Sequence, residues 1–114
     1  MIDLELPYPP SINHYLRRVG PRTLISREGR RFRQSVVAIL AAMSIEPMSG
    51  PLDVDVQVFP PDNRRRDVDN VQKALLDALE HGGAYGDDSQ IVRLTIEKGE
   101  PVDGGKTLVK IRKA

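Results

Sequence analysis

Leu52-Asp53-Val54-Asp55-Val56-Gln57-Val58-Phe59-Pro60-Pro61-Asp62-Asn63-Arg64-Arg65-Arg66-Asp67-Val68-Asp69-Asn70-Val71 runs from a strand through a loop into a helix. Leu52, Val54, Val56 and Val58 alternate with Asp53, Asp55 and Gln57. That is the spacing of a strand with one buried face. Pro60-Pro61 ends it, because proline cannot continue a ladder. Val71, Ala74, Leu75, Ala78 and Leu79 then recur at helical spacing. They predict a helix over about 68–81, stopped by Gly82-Gly83.

The loop between these elements carries the chemistry. Three arginines run straight into two carboxylates spaced one residue apart. Arginines neutralise phosphate oxygens, and a carboxylate pair can hold a divalent cation against a phosphate. A plainer reading stands beside this one. Asp is a preferred N-cap, and Asp-x-Asp before a helix is more often a cap or an exposed acid than a metal site. Asp67 and Asp69 cannot both be the N-cap, however, so one of them needs another explanation.

Lys73 follows Asp69 by four residues, which places the two on one helical face. The pair is either a surface ion pair worth about 0.2–0.5 kcal/mol, or it sets an ammonium beside a metal-bound phosphate, where it stabilises transition-state charge. A second acidic pair, Asp87-Asp88, follows the Gly82-Gly83-Ala84-Tyr85-Gly86 loop and precedes a strand. A turn with solvated acids describes one of these two well. Both acidic pairs lie at element junctions, which a small fold can bring to one sheet edge. Three carboxylates on one magnesium would suit hydrolysis of a phosphodiester.

Towards the N-terminus, Ile2, Leu4 and Leu6 alternate with Asp3 and Glu5 as a first strand, ended at Pro7. Ser11 to Arg22 reads as a polar loop holding Asn13, His14, Tyr15, Arg17 and Arg18. Ser26 is an N-cap candidate for a helix over about 27–45. Phe32, Val36, Ile39, Leu40 and Met43 share one face of it, Arg30, Arg33 and Gln34 another, and Pro47 and Gly50 stop it. Towards the C-terminus, Ile91–Ile96 reads as a strand, Asp103-Gly104-Gly105 as a hairpin turn, and Leu108, Val109 and Ile111 as a last strand. The order β-α-β-α-β-β predicts one small α/β (α+β) domain over residues 1–114. Its mixed sheet has about four strands, with two main helices packed on it.

The net charge of +1 hides a segregation. Residues 17–33 hold seven arginines and one acid, Glu28, while most acids lie in the later half. Such a basic lobe is the footprint of a phosphate-binding surface. The absence of cysteine excludes disulfides and zinc-thiolate sites. The start, Met1-Ile2-Asp3-Leu4-Glu5, is not a signal peptide, and no apolar run reaches membrane-spanning length, so a cytoplasmic protein is expected. There is no Walker-type glycine loop and no Gly-x-Ser-x-Gly turn. His81 suits a helix C-terminus without any catalytic role.

Three stretches resemble the RusA-type Holliday junction resolvases of bacteria and their prophages. They are Pro9-Pro10-Ser11-Ile12-Asn13-His14-Tyr15, Arg64 to Ala74, and Tyr85-Gly86-Asp87-Asp88-Ser89-Gln90-Ile91. The middle stretch is the specific one, and the likeness extends over nearly the whole chain. The resemblance implies a homodimeric, magnesium-dependent endonuclease of DNA recombination and repair, resolving four-way junctions by paired nicks. Carried over by position, Asp67, Asp69 and Asp88 are the metal-binding carboxylates and Lys73 the essential lysine. Asn70, Arg66 and the loop near Asn13 are supporting contacts. Arg64, Arg65, Arg17 and Arg18 join them as expected DNA contacts on charge. Leu76 stands where the resemblance leads one to expect an aromatic residue.

The symmetry of a four-way junction agrees with the dimer that the resemblance implies. A chain with one acidic cluster cuts once, and a two-fold junction needs two symmetric cuts. The alternatives are a DNA-binding module whose acids are caps and turn residues, and a metal nuclease for other branched DNA. Pure phosphate binding gains nothing from acids beside Arg66, which separates the first alternative from a nuclease.

Overall fold

The computed structural model describes residues 1–114. In chain order the elements are β1 (Ile2–Leu6), α1 (Ile12–Tyr15), β2 (Leu16–Val19), β3 (Arg22–Ile25), α2 (Arg27–Ala42), β4 (Leu52–Phe59), a 3-10 turn (Val68–Val71), α3 (Gln72–His81), a second 3-10 turn (Asp88–Gln90), β5 (Ile91–Lys98) and β6 (Lys106–Lys113). The principal sheet has the order β1-β6-β4-β5, and β2-β3 form a separate two-stranded sheet. Within the principal sheet β5 runs parallel to β4, while β6 is antiparallel to both β4 and β1. The expected α/β domain with a mixed sheet of four strands and two main helices is the observed one.

Alternation decides which face is covered. Ile2, Leu4 and Leu6 of β1, Leu52 to Val58 at every second position of β4, and Val109 and Ile111 of β6 are buried. The apolar stripes of α2 (Phe32, Val36, Leu40) and α3 (Ala74, Leu75, Ala78, Leu79) belong to the same core. The opposite face is charged: Arg112 bridges Asp53 and Asp55, at 3.4 and 2.6 Å.

Four sequence expectations are corrected. Residues 11–22 are not a plain loop, because α1 and the β2–β3 hairpin form there. Tyr15 buries its ring, and the register from Leu16↔Ile25 to Val19↔Arg22 closes across Gly20 at φ +61°. The first main helix stops at Ala42, short of Pro47, with Ser44 at φ +53°. The second begins as a 3-10 turn, so its α-helical register starts only at Gln72. The Asp103-Gly104-Gly105 turn exists but closes no hairpin, since β5 and β6 lie on either side of β4. β6 instead pairs with both β1 and β4, which satisfies its two edges and leaves Val109 and Ile111 buried.

The β4–α3–β5 unit positions the site. Its parallel strands require a crossover, and α3 supplies it. The arginine loop therefore leaves the C-terminal end of β4, and the Asp87-Asp88 loop enters β5. No helix is long and apolar enough to cross a membrane.

Candidate nuclease site

The arginine loop is folded by one acid. Asp62 Oδ1 accepts from the backbone N–H of Arg64 at 3.0 Å and from Arg66 Nη1 at 2.6 Å. Arg66 also lies 5.9 Å over the Tyr8 ring. Lys98 Nζ donates to Arg66 O at 3.0 Å, tying the loop to β5. The Arg66 guanidinium holds the Asp62 carboxyl down at about 2, well below the carboxylate range. Arg64 and Arg65 remain exposed, and Arg65 forms no ion pair.

Asp67 occupies the N-cap position of the first 3-10 turn, yet its side chain makes no capping bond; only its carbonyl accepts, from Asn70 N at 3.2 Å. Asp69 makes no side-chain hydrogen bond or ion pair either. Neither carboxylate is spent on the fold. The other acidic pair divides. Asp87 is a cap: its side chain accepts from Ser89 N at 2.8 Å, and its own N–H donates to Gln90 Oε1 at 3.0 Å. Those Ser89 hydrogen bonds lower the Asp87 carboxyl. Gln90 anchors the loop by donating to Met48 O and Gly50 O, each at 3.0 Å. Asp88 keeps its carboxylate free, while its N–H donates to Glu80 Oε1 at 2.7 Å.

Two adjoining clefts result. Asp69, Asn70, Lys73, Leu76, Asp77 and Asp88 line one, with Ile12 on its rim. Arg64, Arg65, Arg66, Asp67 and Asn70 line the other, with Tyr8, Ser11 and His14 opposite. Asn70 is the shared wall. The structure thus brings Asp69, Lys73 and Asp88 to one groove and sets Asp67 among the arginines. Asn13 is exposed on α1, between Ile12 and His14, one at each cleft. Arg17 and Arg18 are exposed on β2, and successive strand residues point to opposite faces.

Two acids were not singled out from the sequence. Lys73 pairs with Asp77, 3.4 Å away, and not with Asp69, because Asp69 lies in the 3-10 turn and not in the α register. Glu80, Asp87 and Asp88 are the one group of three acids whose oxygens lie within 4.8 Å of one another. Helical spacing was the available signal, since Asp77 and Glu80 follow Lys73 by four and seven residues. Asp69 is not part of that group, and it shares the groove lining with Asp88 alone of the three.

The donor set is all oxygen and suits a hard divalent cation. Negative charge concentrates here without a compensating cation beyond Lys73. Its field is felt by Tyr85, whose hydroxyl is raised first by burial and then by Asp88, Glu80 and Asp77. The residues present therefore fit a metal.

Acids unspent on the fold along one groove, and the exposed Arg64 and Arg65 in the next, suit a domain of the metal-dependent nuclease class. The family model described as Endodeoxyribonuclease RusA matches residues 7–112. The chain is 40% identical over 107 residues to the crossover junction endodeoxyribonuclease of Enterobacteria phage HK97, covering 93% of this chain and 89% of that one. It is 39% identical over 105 residues to the Escherichia coli K12 protein of that name, covering 91% and 88%. The protein belongs to the RusA endodeoxyribonuclease family.

Proposed function

We propose that this protein is a homodimeric, magnesium-dependent endonuclease of the cytoplasm. In this reading it resolves four-way DNA junctions by paired symmetric nicks in recombination and repair. The observation that carries the reading is the groove where Asp69, Lys73 and Asp88 meet, with both acids unspent on the fold. Family membership supplies the reaction class.

Asp67, Asp69 and Asp88 are the proposed metal-binding carboxylates. When bound, magnesium supplies Lewis acidity towards the scissile phosphate and the attacking water. Lys73 offsets negative charge as it grows on the phosphoryl oxygens. Arg64 and Arg65, free of strong internal partners, hold phosphates flanking the cut, with Asn13, Arg17 and Arg18 extending the contact. Asn70 sits between acids and arginines, and Arg66 acts by shaping the loop.

The symmetry of the substrate supports the dimer. One chain carries one such groove, and a two-fold dimer would supply the two symmetric cuts a four-way junction needs.

The test is cleavage of a labelled four-way junction with magnesium and with EDTA, comparing wild type with Asp69→Asn, alongside a flap substrate. Symmetric nicks that need both magnesium and Asp69 are expected. Equal cutting of flap and junction would move the reading to a general branched-DNA nuclease. Junction binding without cutting under any divalent metal would leave a binding module. Sedimentation as a monomer would sink the dimer.

A further inference from the structure

A line of polar contacts runs from α2 through the protein to Lys73. Arg33 Nη2 donates to Tyr15 Oη at 3.2 Å. Tyr15 Oη donates to Asp77 Oδ2 at 3.0 Å. Lys73 Nζ lies 3.4 Å from Asp77 Oδ1. Every direction in this line is fixed by the inventory of donors. Arginine and lysine have no acceptor, and an ionised carboxylate has no donor, so the tyrosine proton can only point at Asp77.

Helix energetics do not account for the arrangement. Lys73 sits in the first turn of α3, where the helix dipole disfavours a cation. The pair runs Lys then Asp along the helix, the weaker of the two orders. A solvated ion pair would also need no buried support. Yet Tyr15, 1% exposed and 62 residues away, spends its hydroxyl on Asp77. Tyr15 is itself pinned: its carbonyl accepts from Ser26 N at 2.8 Å, and α2 packs close against it at Gly29.

We propose that Asp77 is a positioning residue, held by Tyr15 and Arg33, that fixes the Lys73 ammonium in the carboxylate groove. The proposal rests on Lys73 being the charge-stabilising lysine. Lysine carries its charge on a long, flexible stem, and a group that must meet a phosphoryl oxygen gains from a fixed anchor. Asp77 Oδ1 is that anchor. The bond from Tyr15 sets the plane of the carboxylate, and Arg33 leaves the tyrosine one direction in which to donate. Burial, and then Asp77 itself, raise the Tyr15 hydroxyl above its ordinary value. The donor therefore persists across the range in which a magnesium nuclease is assayed.

The experiment measures single-turnover cleavage of a four-way junction at saturating protein, and junction binding, for wild type, Tyr15→Phe, Asp77→Asn, Lys73→Ala and the double variant Tyr15→Phe/Lys73→Ala. Tyr15→Phe is expected to slow cleavage by about ten- to hundredfold while junction affinity stays within about twofold. In the Lys73→Ala background the same change is expected to cost nothing further, because its route to the chemistry is already gone. A Tyr15→Phe effect of equal size in both backgrounds would overturn the proposal, showing that Tyr15 acts on the fold alone. So would wild-type cleavage by Tyr15→Phe. Asp77→Asn keeps an acceptor for Tyr15 and loses the charge facing Lys73. It gives the same cleavage defect, and it decides the matter if Tyr15→Phe unfolds. Lys73→Ala cutting at the wild-type rate would instead remove the role of Lys73 itself, and that outcome is read without Tyr15.

Discussion

Arg66 donates to Asp62 at 2.6 Å while Arg65, beside it, has no internal partner. Three consecutive arginines are therefore not three equal ligands for phosphate. The Arg66 side chain is 23% exposed against 83% for Arg64, which keeps only a 3.7 Å contact with Asp62. Replacing Arg64 and Arg65 together by Ala is expected to weaken junction binding and reduce its salt slope by about 0.9 per lost phosphate contact. Arg66→Ala is expected to lower Tm by loosening the loop. Binding titrations over a salt series check the first claim, and an unchanged slope would mean that Arg64 and Arg65 face only water.

The same contact sets a pH dependence. The folded-state carboxyl of Asp62 lies at about 2, below its ordinary 3.8, mainly through the Arg66 hydrogen bond. A depressed carboxyl stabilises the fold above the unfolded value and loses that contribution as pH falls through the folded one. The loop is thus expected to hold its form down to pH 4 and to loosen between 3.8 and about 2. A carbon-detected titration of Asp62 should show a midpoint near 2 in wild type that moves towards 3.8 in Arg66→Ala. A midpoint already at the ordinary value in wild type would remove Arg66 as the loop's organiser.

Asp87 and Asp88 are adjacent, and only Asp87 spends its carboxylate on the fold. Asp87 caps the turn that Gln90 closes, so Asp87→Ala is expected to lower Tm, and Asp87→Asn, which still accepts from Ser89 N, much less. Asp88 spends only backbone groups on the fold, its N–H on Glu80 and its carbonyl on Ile91 N, so Asp88→Asn is expected to keep Tm and abolish cleavage. Thermal melts and a junction assay on both variants decide between these roles. Cleavage lost in Asp87→Asn and kept in Asp88→Asn would reverse them.

What the sequence could and could not show follows the range of the interactions. The alternation in Leu52–Phe59 and the helical stripe from Val71 to Leu79 are local patterns; the strand formed where it was expected, and the helix formed with its first turn wound as 3-10. The partner of Lys73 depends on where the 3-10 turn gives way to α-helix, and that boundary leaves no mark on periodicity. Tyr15 on Asp77 is a contact across 62 residues, made because α1 folds inside a stretch whose polar composition reads as loop. The pairing of β6 with β4 and β1 was hidden for the opposite reason. The Asp103-Gly104-Gly105 signal is genuine and local, but β6 pairs with β4 and β1, where Val109 and Ile111 join the core on the face that the helices cover. Among the candidate site residues, Asp67 and Asp69 were visible as a motif, whereas Glu80, marked in the sequence only by its helical spacing from Lys73, came into view through its approach to Asp87 and Asp88.

Gly29 links the packing to the chemistry. It is the third residue of α2 and donates to Ser26 Oγ at 3.0 Å, as the first turn of a capped helix requires. A Cβ there would stand 2.7 Å from Tyr15 O and 2.8 Å from both Tyr15 Cδ1 and Ile25 Cγ2. The Tyr15 carbonyl cannot retreat without losing its bond from Ser26 N. Alanine raises helix propensity by about 1 kcal/mol over glycine, and overpacking costs about 1–3 kcal/mol. Gly29→Ala is therefore expected to destabilise by up to about 2 kcal/mol, lowering Tm by about 4 °C per kcal/mol. Because the clash pushes on Tyr15, cleavage at a temperature where the variant is fully folded should fall as well, and should be unaffected by the same change in Lys73→Ala. A variant with raised Tm and wild-type cleavage would show that α2 does not press on Tyr15, and the anchoring of Asp77 from that side would go with it.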